Sequence, residues 1–194
     1  MILSNIEIKQ ALQAKEIIIE PLPEEYQFET SALDLRMGER LYELISLEEL
    51  TKEEPTGVYR KIEIDPAIID TREFFQEYAR PVQQQPDGSF ILEPNKFVLG
   101  LTYEKITLPK TSKIAARVEG RSTLARLGLV VHLTAPTIHC GFSGHIVLEM
   151  YNFGYYPLIL RPFELRVCQL IFERLGREPI GEIKSTYQHQ KDIR

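Results

Sequence analysis

The chain has 194 residues, 43% of them apolar and 26% charged, with a formal net charge of −5. That balance suits one soluble domain with a sizeable core. It argues against a broad nucleic-acid footprint while leaving room for a local basic pocket that takes a small anion. No apolar run approaches the roughly 18 residues of a membrane span, and Met1-Ile2-Leu3-Ser4-Asn5 lacks the basic start of a signal peptide, so the cytoplasm is the expected location.

In chain order, Ser4 and Glu7 stand at capping-box spacing, and Ile8, Ala11 and Leu12 share a face, which predicts a first helix. A short strand is expected over Ile17-Ile18-Ile19-Glu20, running into Pro21 and Pro23. Residues Ser31 to Gly38 alternate apolar and polar and end on glycine, reading as a strand and turn. Residues 46–90 are less regular and read as an insertion on the core, with an exposed turn at Gln83 to Gly88. From Phe90 onward short β-type runs dominate: 90–92, 97–101, 114–118, 129–133, 145–151, 158–160 and 165–172. Most are separated by proline or glycine, the pattern of a barrel or sandwich. One short helix interrupts them, Ser122 through Leu127, with Ser122 or Thr123 as its cap and Gly128 as its stop. Residues 1–194 are read as a single domain.

Two stretches carry chemistry. Arg117, Glu119, Gly120, Arg121, Ser122 and Arg126 place guanidiniums and hydroxyls about a helix start, a pattern suited to phosphate oxygens. A capped surface helix with solvated arginines is the plainer reading from spacing alone, and no Walker loop is present. Further on, Gly141 to Asn152 reads as a turn into a strand. Alternation sends Ile146, Leu148 and Met150 to one face and His145, Val147, Glu149 and Tyr151 to the other. A half-buried Glu149 would suit a general base; a solvent-facing strand glutamate is the plainer reading.

The sequence has neither His-x-Glu nor CxxC, so the zinc base-deaminase pattern is absent. The spacing of His132, His139, His145 and His189 matches no standard metal motif. Cys140 and Cys168 read as reduced, partly buried thiols.

Residues Val118-Glu119-Gly120-Arg121-Ser122-Thr123-Leu124-Ala125-Arg126-Leu127-Gly128-Leu129 resemble the signature of the dCTP deaminase family, in the dCTP deaminase/dUTPase superfamily. His132 to Ala135, Gly141 to Gly144, Ile146 to Glu149, Pro157-Leu158, Cys168 to Phe172 and the earlier Ala32 to Gly38 follow in the family's order. The resemblance implies a distorted jelly-roll β-barrel of the dUTPase-like type. It implies a homotrimer with sites between subunits, and zinc-independent deamination of dCTP to dUTP and ammonia. Carried over by position, Glu149 activates the water, while Ser122, Arg126 and the Ala135 carbonyl hold the water and the pyrimidine amino end. Arg121, Thr123, His139, Val147, Tyr187 and Gln190 match nucleotide-binding positions, the last two in a closing tail. Magnesium would ride on the triphosphate. The family pattern has Asp-Pro where this chain has His139-Cys140. A neutral imidazole can accept from a sugar hydroxyl but supplies no carboxylate, which weakens a dUTP diphosphatase reading. That reading, a bifunctional enzyme and a non-catalytic regulatory trimer stand as alternatives.

Overall fold

A computed structural model describes residues 1–52 and 63–181. The first helix, α1 (Asn5–Gln13), begins where its capping box predicts: the Glu7 carboxylate accepts from the Ser4 N–H at 2.8 Å, and the Ser4 hydroxyl accepts from the Glu7 N–H at 3.4 Å. Ile8 and Ala11 are buried. The strand β1 (Ile18–Glu20) follows.

The next strand corrects the expected turn at Gly38. β2 spans Leu33–Leu44 and passes through that glycine. A Cβ at position 38 would stand 2.9 Å from the Leu101 carbonyl oxygen, so glycine here permits a close backbone approach inside a bulge rather than a chain reversal.

Residues 46–90 hold more structure than their composition suggests. They contain α2 (Leu47–Lys52), α3 (Thr71–Tyr78) and β3 (Ala79–Pro81), which pairs with the end of β2. The Asp70 side chain caps α3 by accepting from the Arg72 and Glu73 N–H groups. None of its residues is fully buried, but Phe74, Phe75 and Tyr78 share one side and Phe75 packs against Tyr42, Ala79, Leu99 and Leu101; two turns are too short for that pattern to stand out in the sequence. The expected turn at 83–88 is present, closed by Gly88 N–H donating to the Gln85 carbonyl at 2.9 Å.

The remaining strands are β4 (Phe90–Leu92), β5 (Phe97–Thr107), β6 (Ile114–Gly120), β7 (Leu129–Val130), β8 (Thr137–Ile138), β9 (Ser143–Asn152), β10 (Leu158–Leu160) and β11 (Arg166–Arg174). Between β6 and β7 lies α4 (Ser122–Arg126). Pairing carries β5 to Thr107, well past the expected Leu101. Conversely, β7 ends at Val130 instead of reaching Leu133, whose N–H is directed to the Glu149 side chain. The two-residue β8, paired to β6, has no signal in its sequence.

The main sheet runs β7-β9-β5-β2-β11-β6-β8, with β1 added on β5 and β3 on β2; β4 and β10 form a separate pair. Every pairing is antiparallel. Strands dominate and curl around a main core that includes Leu33, Leu35, Met37, Leu148, Leu170 and Phe172, all fully buried; Tyr42, Ala79, Leu99 and Leu101 form a second, smaller buried cluster. This is a mainly β fold of the distorted jelly-roll type, as expected.

The end of α4 meets the end of β9 with no room for a side chain. Gly128 has φ +91°, and a Cβ there would collide with the backbone of Gly154, just beyond β9. Gly88 has a similar φ of +80° but faces open space. Replacing Gly88 with alanine is therefore expected to cost only the left-handed penalty, about 1–2 kcal/mol. Gly128→Ala should cost roughly 3 kcal/mol or more, because backbone must also move. Denaturant melts of the two variants check this; equal losses would show that the α4–β9 junction is not tightly packed.

Candidate functional site

The segment after β6 builds the site. Arg121, with φ −96° and ψ 131°, is the N-cap residue of α4, and its carbonyl accepts from the Ala125 N–H at 3.0 Å. This corrects the expectation that Ser122 or Thr123 caps the helix: both lie in its first turn, with exposed side chains, and the cap has no side-chain bond. Gly128 does follow the helix as predicted, at the position that takes a left-handed conformation. With only five residues, α4 has a weak dipole, so anion binding here must rest on side chains.

Arg126 is exposed in the last turn of α4. Arg121 turns inward instead. Its guanidinium pairs with Asp34 at 3.1 Å and donates to the Arg166 carbonyl at 3.3 Å.

α4 is tied to the strand bearing Glu149. β7 pairs with the end of β9 through Leu129↔Asn152 and Val130↔Tyr151, and the Phe153 N–H donates to the Gly128 carbonyl at 2.8 Å. Along β9, Gly144, Ile146, Leu148, Met150 and Asn152 are buried, whereas His145, Val147, Glu149 and Tyr151 are half-buried on the other face. The predicted alternation is realised. Val147 packs beside Leu99 and Leu101. The Glu149 carboxylate accepts from the Leu133 N–H at 3.4 Å, which draws the loop after β7 against β9. That loop carries the exposed Ala135 and is anchored at its far end by the Val118 N–H, which donates to the Pro136 carbonyl at 2.8 Å.

Ser122 and Arg126 stand on α4, Ala135 on the 131–136 loop, and Val147 and Glu149 on β9, three segments linked through β7. Among the described residues, no hydrogen bond joins Glu149 to Ser122 or Arg126. Ser122 and Arg126 are exposed and Glu149 is half-buried.

His139 is exposed in the turn between β8 and β9. Its backbone is held firmly: the Phe142 N–H donates to the His139 carbonyl at 3.0 Å, and the Gly141 N–H to the Leu108 carbonyl at 2.7 Å. The adjacent Cys140 is buried, its thiol 3.3 Å from the Lys110 carbonyl. Tyr187 and Gln190 lie outside the described residues. His145 is elsewhere, its Nδ1 2.9 Å from the Thr102 carbonyl, beside a partly open cavity of about 310 Å³ that also touches Arg40, Tyr103 and Phe163.

Two residues here were not picked out from sequence. Asp34 occupies a polar position of an alternating strand, and Arg166 one in a β run, so both read as solvent-facing. Asp34 is instead fully buried between two guanidiniums.

With this geometry established, comparison with known proteins is decisive. A family model described as dCTP deaminase-like matches residues 2–175. The chain belongs to the dCTP deaminase-like family. Among its relatives, "dCTP deaminase, dUMP-forming" of Methanobrevibacter smithii is 35% identical over 196 residues, covering all of this chain and 92% of the relative. A "dCTP deaminase" of Shewanella sp. (strain ANA-3) is 35% identical over 195 residues, with the same coverage. Among solved structures, the 2′-deoxycytidine 5′-triphosphate deaminase of Agrobacterium tumefaciens superimposes with a TM-score of 0.61 at 18% identity, over 88% of this chain. The present chain spans 47% of that longer chain, and at this identity the likeness speaks for the fold.

Within this dCTP deaminase-like chain neither cysteine has the setting of a nucleophile. Both are free and buried, and burial pushes the Cys168 thiol far up, with Glu104 and Asp34 adding to the effect. A thiol reagent is expected to label neither cysteine in the native protein and both after denaturation. Rapid native labelling of Cys140 would show that the 139–142 turn opens.

Proposed function

We propose that this protein is an enzyme that hydrolyses dCTP to dUTP and ammonia, with Glu149 as its general base. The observation that carries this reading is Glu149 itself: a half-buried carboxylate on the face of β9 turned away from the main core, bonded to the 131–136 loop through the Leu133 N–H. Family membership points to the same substrate.

Glu149 takes a proton from water, whose oxygen attacks C4 of the pyrimidine. Proton transfer to the departing amino group then releases ammonia, leaving a carbonyl at C4. Ser122, Arg126 and the Ala135 carbonyl orient the water and the amino end, so most of the rate gain comes from fixed geometry around one base. Arg121, Thr123 and Val147 contribute to the nucleotide pocket, His139 meets the sugar, and Tyr187 and Gln190 belong to the closing tail. The triphosphate brings magnesium with it, held by phosphate oxygens. The lack of any HxE…CxxC pattern favours a route without zinc. The same reading takes residues 1–194 as one nucleotide-binding domain of a cytoplasmic protein acting as a homotrimer with sites between subunits.

A second reading, deamination coupled to diphosphate release, is favoured by the "dUMP-forming" names of relatives 35–38% identical to this chain. His139 argues for the first: imidazole cannot supply the carboxylate that would activate water towards a phosphorus atom.

A panel of deoxynucleotides with magnesium, assayed separately for ammonia and pyrophosphate, distinguishes them. Ammonia alone from dCTP is expected; pyrophosphate from dCTP or dUTP would establish the second reading. Glu149→Gln should still bind dCTP while turning over at least about 100-fold more slowly. Wild-type turnover in that variant would end the proposed role of Glu149.

A further inference from the structure

The fold buries two carboxylates, Asp34 and Glu104, each fully shielded from solvent, and they are treated differently. Glu104 is satisfied on both oxygens: Oε1 accepts from Gln27 Nε2 and Arg36 Nε, and Oε2 from the Arg36 backbone N–H, at 2.8–3.0 Å. That is the arrangement expected of a carboxylate that serves the fold. Asp34 directs only Oδ2 to partners, Arg121 and Arg166, both at 3.1 Å. Its Oδ1 is buried with no hydrogen-bond partner. Burial pushes the Asp34 carboxyl above its usual range, with the two guanidiniums opposing that rise. Such a group is costly to maintain for packing alone.

What Asp34 holds is the beginning of α4. Arg121 is the helix N-cap, and its carbonyl receives the first helical hydrogen bond. Asp34 cannot follow a moving side chain, because its backbone lies mid-sheet, paired with Gln169 of β11 and bonded through its carbonyl to Gln27. A five-residue helix has little stability of its own, so its start needs an external anchor. Arg166 carries a second counter-charge, Glu29, at 4.0 Å, which leaves Arg121 as the partner whose only ion pair among the described residues is Asp34.

We propose that Asp34 is a positioning residue for the nucleotide site: by clamping Arg121 from inside the sheet it sets where α4 presents Ser122 and Arg126 to a pyrimidine deoxynucleotide. This rests on the deaminase reading. Asp34 itself touches no substrate; it acts through Arg121 and the helix.

The test compares the wild-type chain with D34N and with D34N/R166Q. The double variant removes one charge of each sign, and so retains charge balance where D34N alone fails to fold. Two readouts are needed: millisecond amide exchange resolved by residue, and calorimetric titration with dCTP. We expect the Ala125 and Gly128 amides to exchange about tenfold faster while those of β5 and β9 stay within about twofold, a local rather than global opening. The dCTP Kd should rise about tenfold in the same variant, since small displacements of positioning groups are costly. A uniform change across α4, β5 and β9 would mean a purely structural role and overturn the proposal. So would wild-type exchange in α4, or an unchanged Kd. Failure of the wild-type chain to bind dCTP would instead overturn the deaminase reading on which the proposal rests.

Discussion

In a β-strand, neighbouring side chains must point to opposite faces, and in β9 this geometric rule governs both folding and chemistry. Ile146, Leu148 and Met150 go to the core, so Glu149 has to face away from it. A slip of one residue would bury the carboxylate and expose three apolar chains, which the apolar burial energy forbids. The register with β5, Leu99↔Glu149 and Leu101↔Val147, is thus held by the hydrophobic core and read out at the site. The position of the proposed base is a consequence of core packing and needs no separate device.

The segments proposed to surround that base are linked by close backbone contacts. Gly128 and Gly154 meet where any side chain would collide, so the end of α4 is pressed against the end of β9. The 131–136 loop is drawn in at one end by the Glu149 carboxylate and at the other by β6. Helix, loop and strand come from segments that are only loosely regular in themselves. Their arrangement depends on two glycines, one carboxylate and one backbone hydrogen bond from β6.

The buried charges add a further level. Arg121 is proposed for the nucleotide pocket, and its guanidinium is turned towards Asp34. An arginine has five N–H donors and can serve an internal carboxylate and a ligand from one fixed plane. A group held in this way loses less freedom when a nucleotide arrives than one swinging in solvent.

Much of this protein was legible from its residues in order. The capping box of α1, the alternation in β9, the Gly128 stop after α4 and the turn at Gly88 are local features, set by spacing and backbone conformation, and each is where local physics puts it. Glu149 and the α4 residues are candidates because short motifs contain them, and their roles stand as proposals. Features that depend on distant partners were not visible. Gly38 reads as a turn until β5 is laid beside it, β8 is too short to be a strand without β6, and α3 is too short for its one apolar side to stand out. Asp34 is the sharpest case. Its alternating neighbours mark it as solvent-facing, but two arginines that follow it by 87 and 132 positions cover it. Local periodicity determines which face a side chain takes; only the closed sheet decides whether that face meets water or another charge.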